Sequence, residues 1–199
     1  DDVVAYFDPD IQVFAPLDDI FTLAAQSGVV LTPHAAEPLP TSGHSTGTED
    51  IVLDGGVFNL GFIAVGQCAL PALHWWDAKL RRQCIIDPPQ SRFVDQRWVD
   101  LFPAYFTPEI ARDPGLNVAW WNLPTRTLDA HGAAVTIDGH PLRFFHFSGY
   151  RPDHPWMLSA HQGPIPRVLL SERPEVRALT DRYRTALLEG DYEQVREIP

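Results

Sequence analysis

Lysine is almost missing from this chain. Lys79 stands alone among fifteen basic residues, the rest being arginine, so a charged side chain meeting phosphate must be Arg, or a bound cation must serve instead. No basic run occurs, and the formal net charge of −11 argues against the phosphate-backbone binding used by nucleic-acid proteins. Cysteine is scarce as well. Cys68 and Cys84 stand in no metal-ligand spacing and form no disulfide framework, which points to a reducing, cytoplasmic setting. No apolar run reaches the length needed to span a bilayer, and nothing at the start reads as a signal peptide.

What is present suffices for one domain with a full core: 199 residues, 45% of them hydrophobic. The organising stretch lies near the start, where the apolar residues Val3 to Phe7 deliver Asp8 and Asp10, with Pro9 between them. The run has strand length. It reads as a buried strand in the middle of a sheet, and a chain that opens on such a strand is expected to have a preceding segment. In extended chain, residues i and i+2 point the same way, so both carboxylates are expected to reach one cation. Hard divalent ions such as Mn²⁺ or Mg²⁺ take oxygen ligands and keep positions open for phosphate oxygens. Taken alone, Asp-x-Asp is also a common pair of solvated turn carboxylates.

Beyond it, a short helix is expected over residues 17–25, with Asp18 as N-cap and Gly28 as stop. A strand follows at 29–32, then a loop rich in Pro, Gly, Ser and Thr over 33–50. Residues 55–65 read as a glycine-opened strand with Asn59 inside an apolar run, either a satisfied core amide or a ligand contact. Residues 70–85 have helical spacing with tryptophans in the core. Another helix is expected over 93–101, with Asp95 near its N-terminus, where an acid complements the dipole. Asp138-Gly139 signals a hairpin. Residues 141–149 read as a strand with Leu142, Phe144, His146 and Ser148 on one side; a histidine there is usually a core residue. An irregular segment holds Trp156, and a helix spans 174–190.

Four motifs in order, Tyr6-Phe7-Asp8-Pro9-Asp10, Phe58-Asn59-Leu60-Gly61, Val94-Asp95-Gln96 and His146-Phe147-Ser148-Gly149 with Pro155-Trp156, resemble the GT-A glycosyltransferases of the glycogenin and lipopolysaccharide galactosyltransferase type. The resemblance runs from Tyr6 to about Trp156. It implies an α/β fold, a mixed sheet flanked by helices, in a catalytic-type domain that transfers sugar from a nucleotide-sugar, UDP-linked, with retention of configuration. It implies a metal triad of Asp8, Asp10 and His146 holding Mn²⁺ or Mg²⁺. Asp95 and Gln96 would stand at the reacting centre, with Asp8, Asn59 and Gly149 on the donor and Asn117 or Asn122 towards the acceptor. The acceptor, whether saccharide, lipid or protein, is unspecified, and a lipid acceptor would place the protein at a membrane surface.

Two departures stand out. The family's lysine before Pro-Trp is replaced by Asp153-His154, leaving Arg151 as a substitute phosphate contact. The family's upstream nucleotide-binding βαβ half has no counterpart, so the chain reads as the C-terminal part of such a domain. Two rivals share some features. A haloacid-dehalogenase-like phosphatase would use Asp8 as nucleophile and Asp10 as general acid, but wants Thr or Val where Gln12 stands. A non-catalytic or truncated carbohydrate- or partner-binding module would use Trp120, Trp121 and Trp156 as apolar platforms.

Overall fold

The computed structural model describes residues 2–40, 49–131 and 134–196; residues 41–48 of the loop expected at 33–50 therefore lie outside the described residues. The protein is mixed α/β. Its main sheet has four strands in the order β1 (Val4–Phe7), β4 (Phe58–Val65), β3 (Val29–Pro33) and β7 (Glu109–Ile110). β4 lies antiparallel to β1 and β3, and β7 runs parallel to β3. β4 is buried along nearly its whole length, as a continuous apolar run bounded by glycine requires.

The two faces of this sheet are covered differently. Val30, Phe62 and Ala64 pack against Ile20 and Ala24 of helix α1 (Asp18–Ser27). On the other face, Val29, Leu31, Phe58 and Ile63 meet Ala72 of α3 (Leu70–Gln83), Val99 of α4 (Gln96–Val99) and Phe102 of α5 (Phe102–Tyr105). α2 (Asp50–Gly55) leads into β4. Trp75 and Trp76 are half-buried against this second cluster, Trp75 edge-on to Phe102 and Phe106. Lys79 lies over the Trp75 and Trp98 rings, 5.6 and 5.8 Å from their centroids.

A third cluster sits beside the sheet. It joins residues 118–123, a meander of β8 (Leu128–His131), β9 (Ala134–Ile137) and β10 (His140–Pro141), and helix α6 (Pro174–Glu189). The expected hairpin is present, with Asp138 and Gly139 both at positive φ, 50° and 80°, as a two-residue primed turn demands. α6 matches the helix expected over 174–190. Two short pairs complete the described strands: β2 (Ile11–Val13) with β11 (Phe144–His146), and β5 (Ile86–Asp87) with β6 (Arg92–Phe93); α7 (Tyr192–Val195) follows α6.

Several expectations need correcting. Among the described residues β1 stands at the edge of the sheet rather than in its middle, with Val4 65% and Tyr6 52% exposed and its Ala5/Phe7 side against the core. Asp18 is the first helical residue rather than the cap, a position taken by Leu17, and Asp18 makes no capping bond; Gly28 does end the helix, at φ 86°. The helix expected over 93–101 is interrupted, since Phe93 pairs in β6 and Val94 turns at φ 42° before α4 begins. The strand expected over 141–149 is broken, with Pro141 closing β10 and only Phe144–His146 forming β11, and Phe144, Phe145, His146 and Phe147 are all buried. Both its faces are covered, so alternation there carries no inside-outside information.

Candidate metal centre

Asp8 and Asp10 are brought together by a turn rather than by one extended strand. The Ile11 N–H donates to Asp8 O at 3.0 Å, closing a four-residue turn with Pro9 in its favoured second position. The chain thereby leaves β1, paired to β4, and enters β2, paired to β11. That exchange of partners delivers the histidine. His146 lies opposite Ile11 in the register, and the Phe147 N–H donates to Asp10 O at 2.9 Å.

His146 Nε2 lies 3.0 Å from Asp10 Oδ1 and 3.7 Å from Asp8 Oδ2. One ligand atom from each residue falls within 4.8 Å of the others, a span that a single cation can bridge. Burial pushes the Asp10 carboxyl up, but the hydrogen bond and charge of His146 outweigh it and hold the group below its ordinary value. Two carboxylates and an imidazole form a donor set that suits a divalent ion. Asp8 is further fixed through its N–H, which donates to Gly61 O at 2.8 Å, and by the Tyr6 hydroxyl, which donates to Oδ1 at 2.8 Å.

Behind the triad lies a buried amide network. His146 Nδ1 lies 3.1 Å from Asn59 Oδ1, which also accepts from Gly61 N and Asn117 Nδ2, both at 3.2 Å. Gln96 Oε1 accepts from Leu60 N at 2.9 Å and from Asn59 Nδ2 at 3.3 Å, while Gln96 Nε2 donates to Gly55 O at 2.8 Å. Gly61 is required by space: a Cβ there would lie 2.6 Å from His146 Nδ1, so the imidazole occupies the room a side chain would need.

Asp8 and His146 of the triad line a cavity of about 570 Å³ together with Asn59, Asp95, Gln96 and Trp121. Among the described residues, no Lys or Arg contributes to its lining. Asp95 sits just before α4 without making a capping bond; burial, with a smaller contribution from the negative charge of Asp8, raises its carboxyl above the usual range. The structure thus brings Asp8, Asp10, His146, Asn59, Asp95 and Gln96 into one neighbourhood.

Not every expected residue lines the cavity. Arg151 is exposed and outside the cavity lining. Gly149, at φ 72°, is explained by packing: a Cβ would stand 2.7 Å from Ser159 Oγ and 2.5 Å from the His161 ring. Asn117 and Asn122 are buried, Asn122 bridging Ala119 N, His34 O and Asn117 O, and neither is among the residues that line the cavity. Trp120 and Trp121 line the cavity but are buried, whereas Trp156 is 66% exposed outside the lining.

Sequence reasoning missed His34. It follows β3, lines the cavity, packs edge-on to Trp121 and places Nε2 3.4 Å from Asn59 Nδ2. Burial pushes it down to about 4, so it is neutral at pH 7. The signal was its place at the end of a buried strand, obscured by the loop-like composition that follows. Tyr6, two residues before Asp8, and His161, beside Gly149, also reach the cavity.

Among curated proteins, two from Bacillus subtilis strain 168 are similar. Over 101 residues the chain is 35% identical to the uncharacterized protein YfnF, spanning 48% of this chain and 33% of YfnF. Over 155 residues it is 29% identical to the uncharacterized protein YfnD, spanning 73% and 46%. The chain thus matches between a third and a half of these relatives' length. No family model matches, and no solved structure matches.

Proposed function

We propose that this chain carries the metal and reacting-sugar part of a GT-A-type retaining glycosyltransferase, acting on a nucleotide-sugar, probed first with UDP-sugars. The observation that carries the reading is the convergence of Asp8, Asp10 and His146 beside a cavity that Asp8, His146 and Asp95 line. A second point supports it. With no Lys or Arg in the lining among the described residues, the charge of a diphosphate needs a cation, and the triad is the place to hold one. Mn²⁺ or Mg²⁺ bound there would act as a Lewis acid on the departing diphosphate.

The residues divide the remaining work. Asp8, Asp10 and His146 Nε2 ligate the cation. The Asp95 carboxylate faces positive charge growing at the anomeric carbon as its bond to the phosphate oxygen breaks. A bond forms to the acceptor oxygen on the same face of the sugar, the electron pair leaves with the diphosphate, and the acceptor proton is released. Gln96 keeps one Nε2 hydrogen beyond its bond to Gly55 O, available to a sugar oxygen. A non-catalytic sugar-binding module is the second reading, favoured by the same lack of cationic side chains. Asp10→Asn separates the two: it abolishes metal-dependent turnover under the first and leaves sugar binding unchanged under the second.

The test is nucleotide release from a panel of UDP- and GDP-sugars, with Mn²⁺ or with chelator. Release of one nucleotide that needs the ion and disappears in Asp10→Asn and His146→Ala is the expected result. A folded chain that releases nothing from any donor under any divalent ion, alone or extended upstream, would overturn the enzymatic reading.

A further inference from the structure

The buried amides behind the triad form a chain of fixed polarity. It begins at the backbone, whose donors and acceptors cannot be exchanged. The Leu60 N–H donates to Gln96 Oε1, and Gln96 Nε2 donates to Gly55 O, so the orientation of the Gln96 amide is determined. Its oxygen therefore faces Asn59, which must present Nδ2 to it at 3.3 Å. The same Nδ2 faces His34 Nε2 at 3.4 Å. With its nitrogen committed on that side, Asn59 presents Oδ1 on the other, where the Gly61 N–H and Asn117 Nδ2 also donate to it. An oxygen facing His146 Nδ1 at 3.1 Å can only accept, so Nδ1 carries the proton.

We propose that Asn59 is a positioning residue that holds a proton on His146 Nδ1, so that Nε2, which faces Asp8 and Asp10, is the nitrogen that gives up its proton to a bound cation. This rests on the reading of the triad as a cation site and deepens it by assigning the partner that makes His146 competent as a ligand. A neutral imidazole protonated at Nε2 would present a hydrogen, not a lone pair, to the cation. The relay excludes that form without a second charge behind the metal site. In the usual arrangement a carboxylate or carbonyl supports the ligating histidine; here the oxygen is an amide, oriented in turn by backbone through Gln96. Asn59 thus acts through His146 and need not touch substrate. Gln96 orients the amide one step further away.

The test uses nitrogen-15-labelled protein at neutral pH with Mg²⁺, reading the His146 ring by long-range proton–nitrogen correlation, alongside Mn²⁺ titrations. Wild type is expected to show Nδ1 protonated and Nε2 bare. Asn59→Leu is expected to lose that preference and to weaken Mn²⁺ binding by roughly 10–100-fold, the usual effect of removing an outer-shell partner. Asn59→Asp, which keeps an oxygen facing Nδ1, should retain both the tautomer and Mn²⁺ binding. An Nε2–H tautomer in wild type overturns the proposal, and so does an unchanged tautomer in folded Asn59→Leu. The wild-type spectrum decides the point even where the variants fail to fold. Wild type that shows the Nδ1–H tautomer but binds no Mn²⁺ refutes the cation reading while leaving the relay standing.

Discussion

Gly61→Ala is the most demanding test of how the histidine is seated. Gly61 lies inside β4 and outside the left-handed region, so alanine meets no backbone penalty there and the entire cost is steric. The new Cβ would stand 2.6 Å from His146 Nδ1 and 2.8 Å from Asn59 Oδ1. Ordinary carbon contact needs about 3.5 Å, so the ring must retreat by about 1 Å. It has little room to do so, since His146 is 3% exposed and Trp121 packs edge-on to it at 5.3 Å. The expected cost is about 1–3 kcal/mol, as for overpacking a closed core, read from the urea midpoint at unchanged slope. Mn²⁺ affinity should fall with it, because the retreat moves Nε2 relative to the carboxylates. In an His146→Ala background the penalty should shrink, giving a coupling energy above about 0.5 kcal/mol. A Gly61→Ala protein as stable as wild type, with unchanged Mn²⁺ affinity, would show that the imidazole does not sit over this glycine.

Other expectations follow from the same geometry. His34 resists protonation in the folded protein, with its value pushed down to about 4 against 6.5 for an ordinary histidine. The unfolded chain therefore binds more protons between those values, and stability falls as pH drops from 6.5 towards 4. The difference amounts to about 3 kcal/mol; denaturation across that range should show the slope reduced in His34→Phe, and an identical slope would refute it. Gly139→Ala adds a Cβ into open space at φ 80°, so it should cost only the left-handed backbone penalty of about 1–2 kcal/mol and leave Mn²⁺ affinity untouched, in contrast to Gly61→Ala. Asp95→Asn should leave Mn²⁺ affinity near wild type while lowering sugar transfer by roughly 10²-fold or more; lost metal affinity would place Asp95 among the ligands instead.

Much of the fold was legible because apolar runs and punctuation agree along the chain. β4 reads as a buried strand from its continuous apolar run, the 138–139 turn from Asp-Gly, and α6 from Pro174, its apolar spacing and Gly190. The failures share one cause: local pattern does not show which surfaces tertiary partners cover. The apolar run at β1 suggested a central strand, yet among the described residues Val4 and Tyr6 face outward from a sheet edge. The residues around β11 look alternating and are buried on both sides. The helix expected over 93–101 breaks at Val94, whose positive φ no propensity would suggest for a β-branched residue. At the site, the triad could be named from its motifs, but the device that assembles it could not. A turn at Pro9 and a change of sheet partner bring Asp8, Asp10 and His146 together. The amide relay was illegible because hydrogen-bond polarity depends on backbone groups far apart in sequence, such as Gly55 O and Leu60 N around Gln96.

The most direct measurement is anomalous diffraction from crystals of this chain grown with Mn²⁺ and a uridine diphosphate ligand. One manganese peak ligated by Asp8, Asp10 and His146 Nε2, with diphosphate oxygens completing its coordination, is the expected result. A diphosphate bound away from the triad, or a triad without manganese beside bound diphosphate, would contradict the central claim.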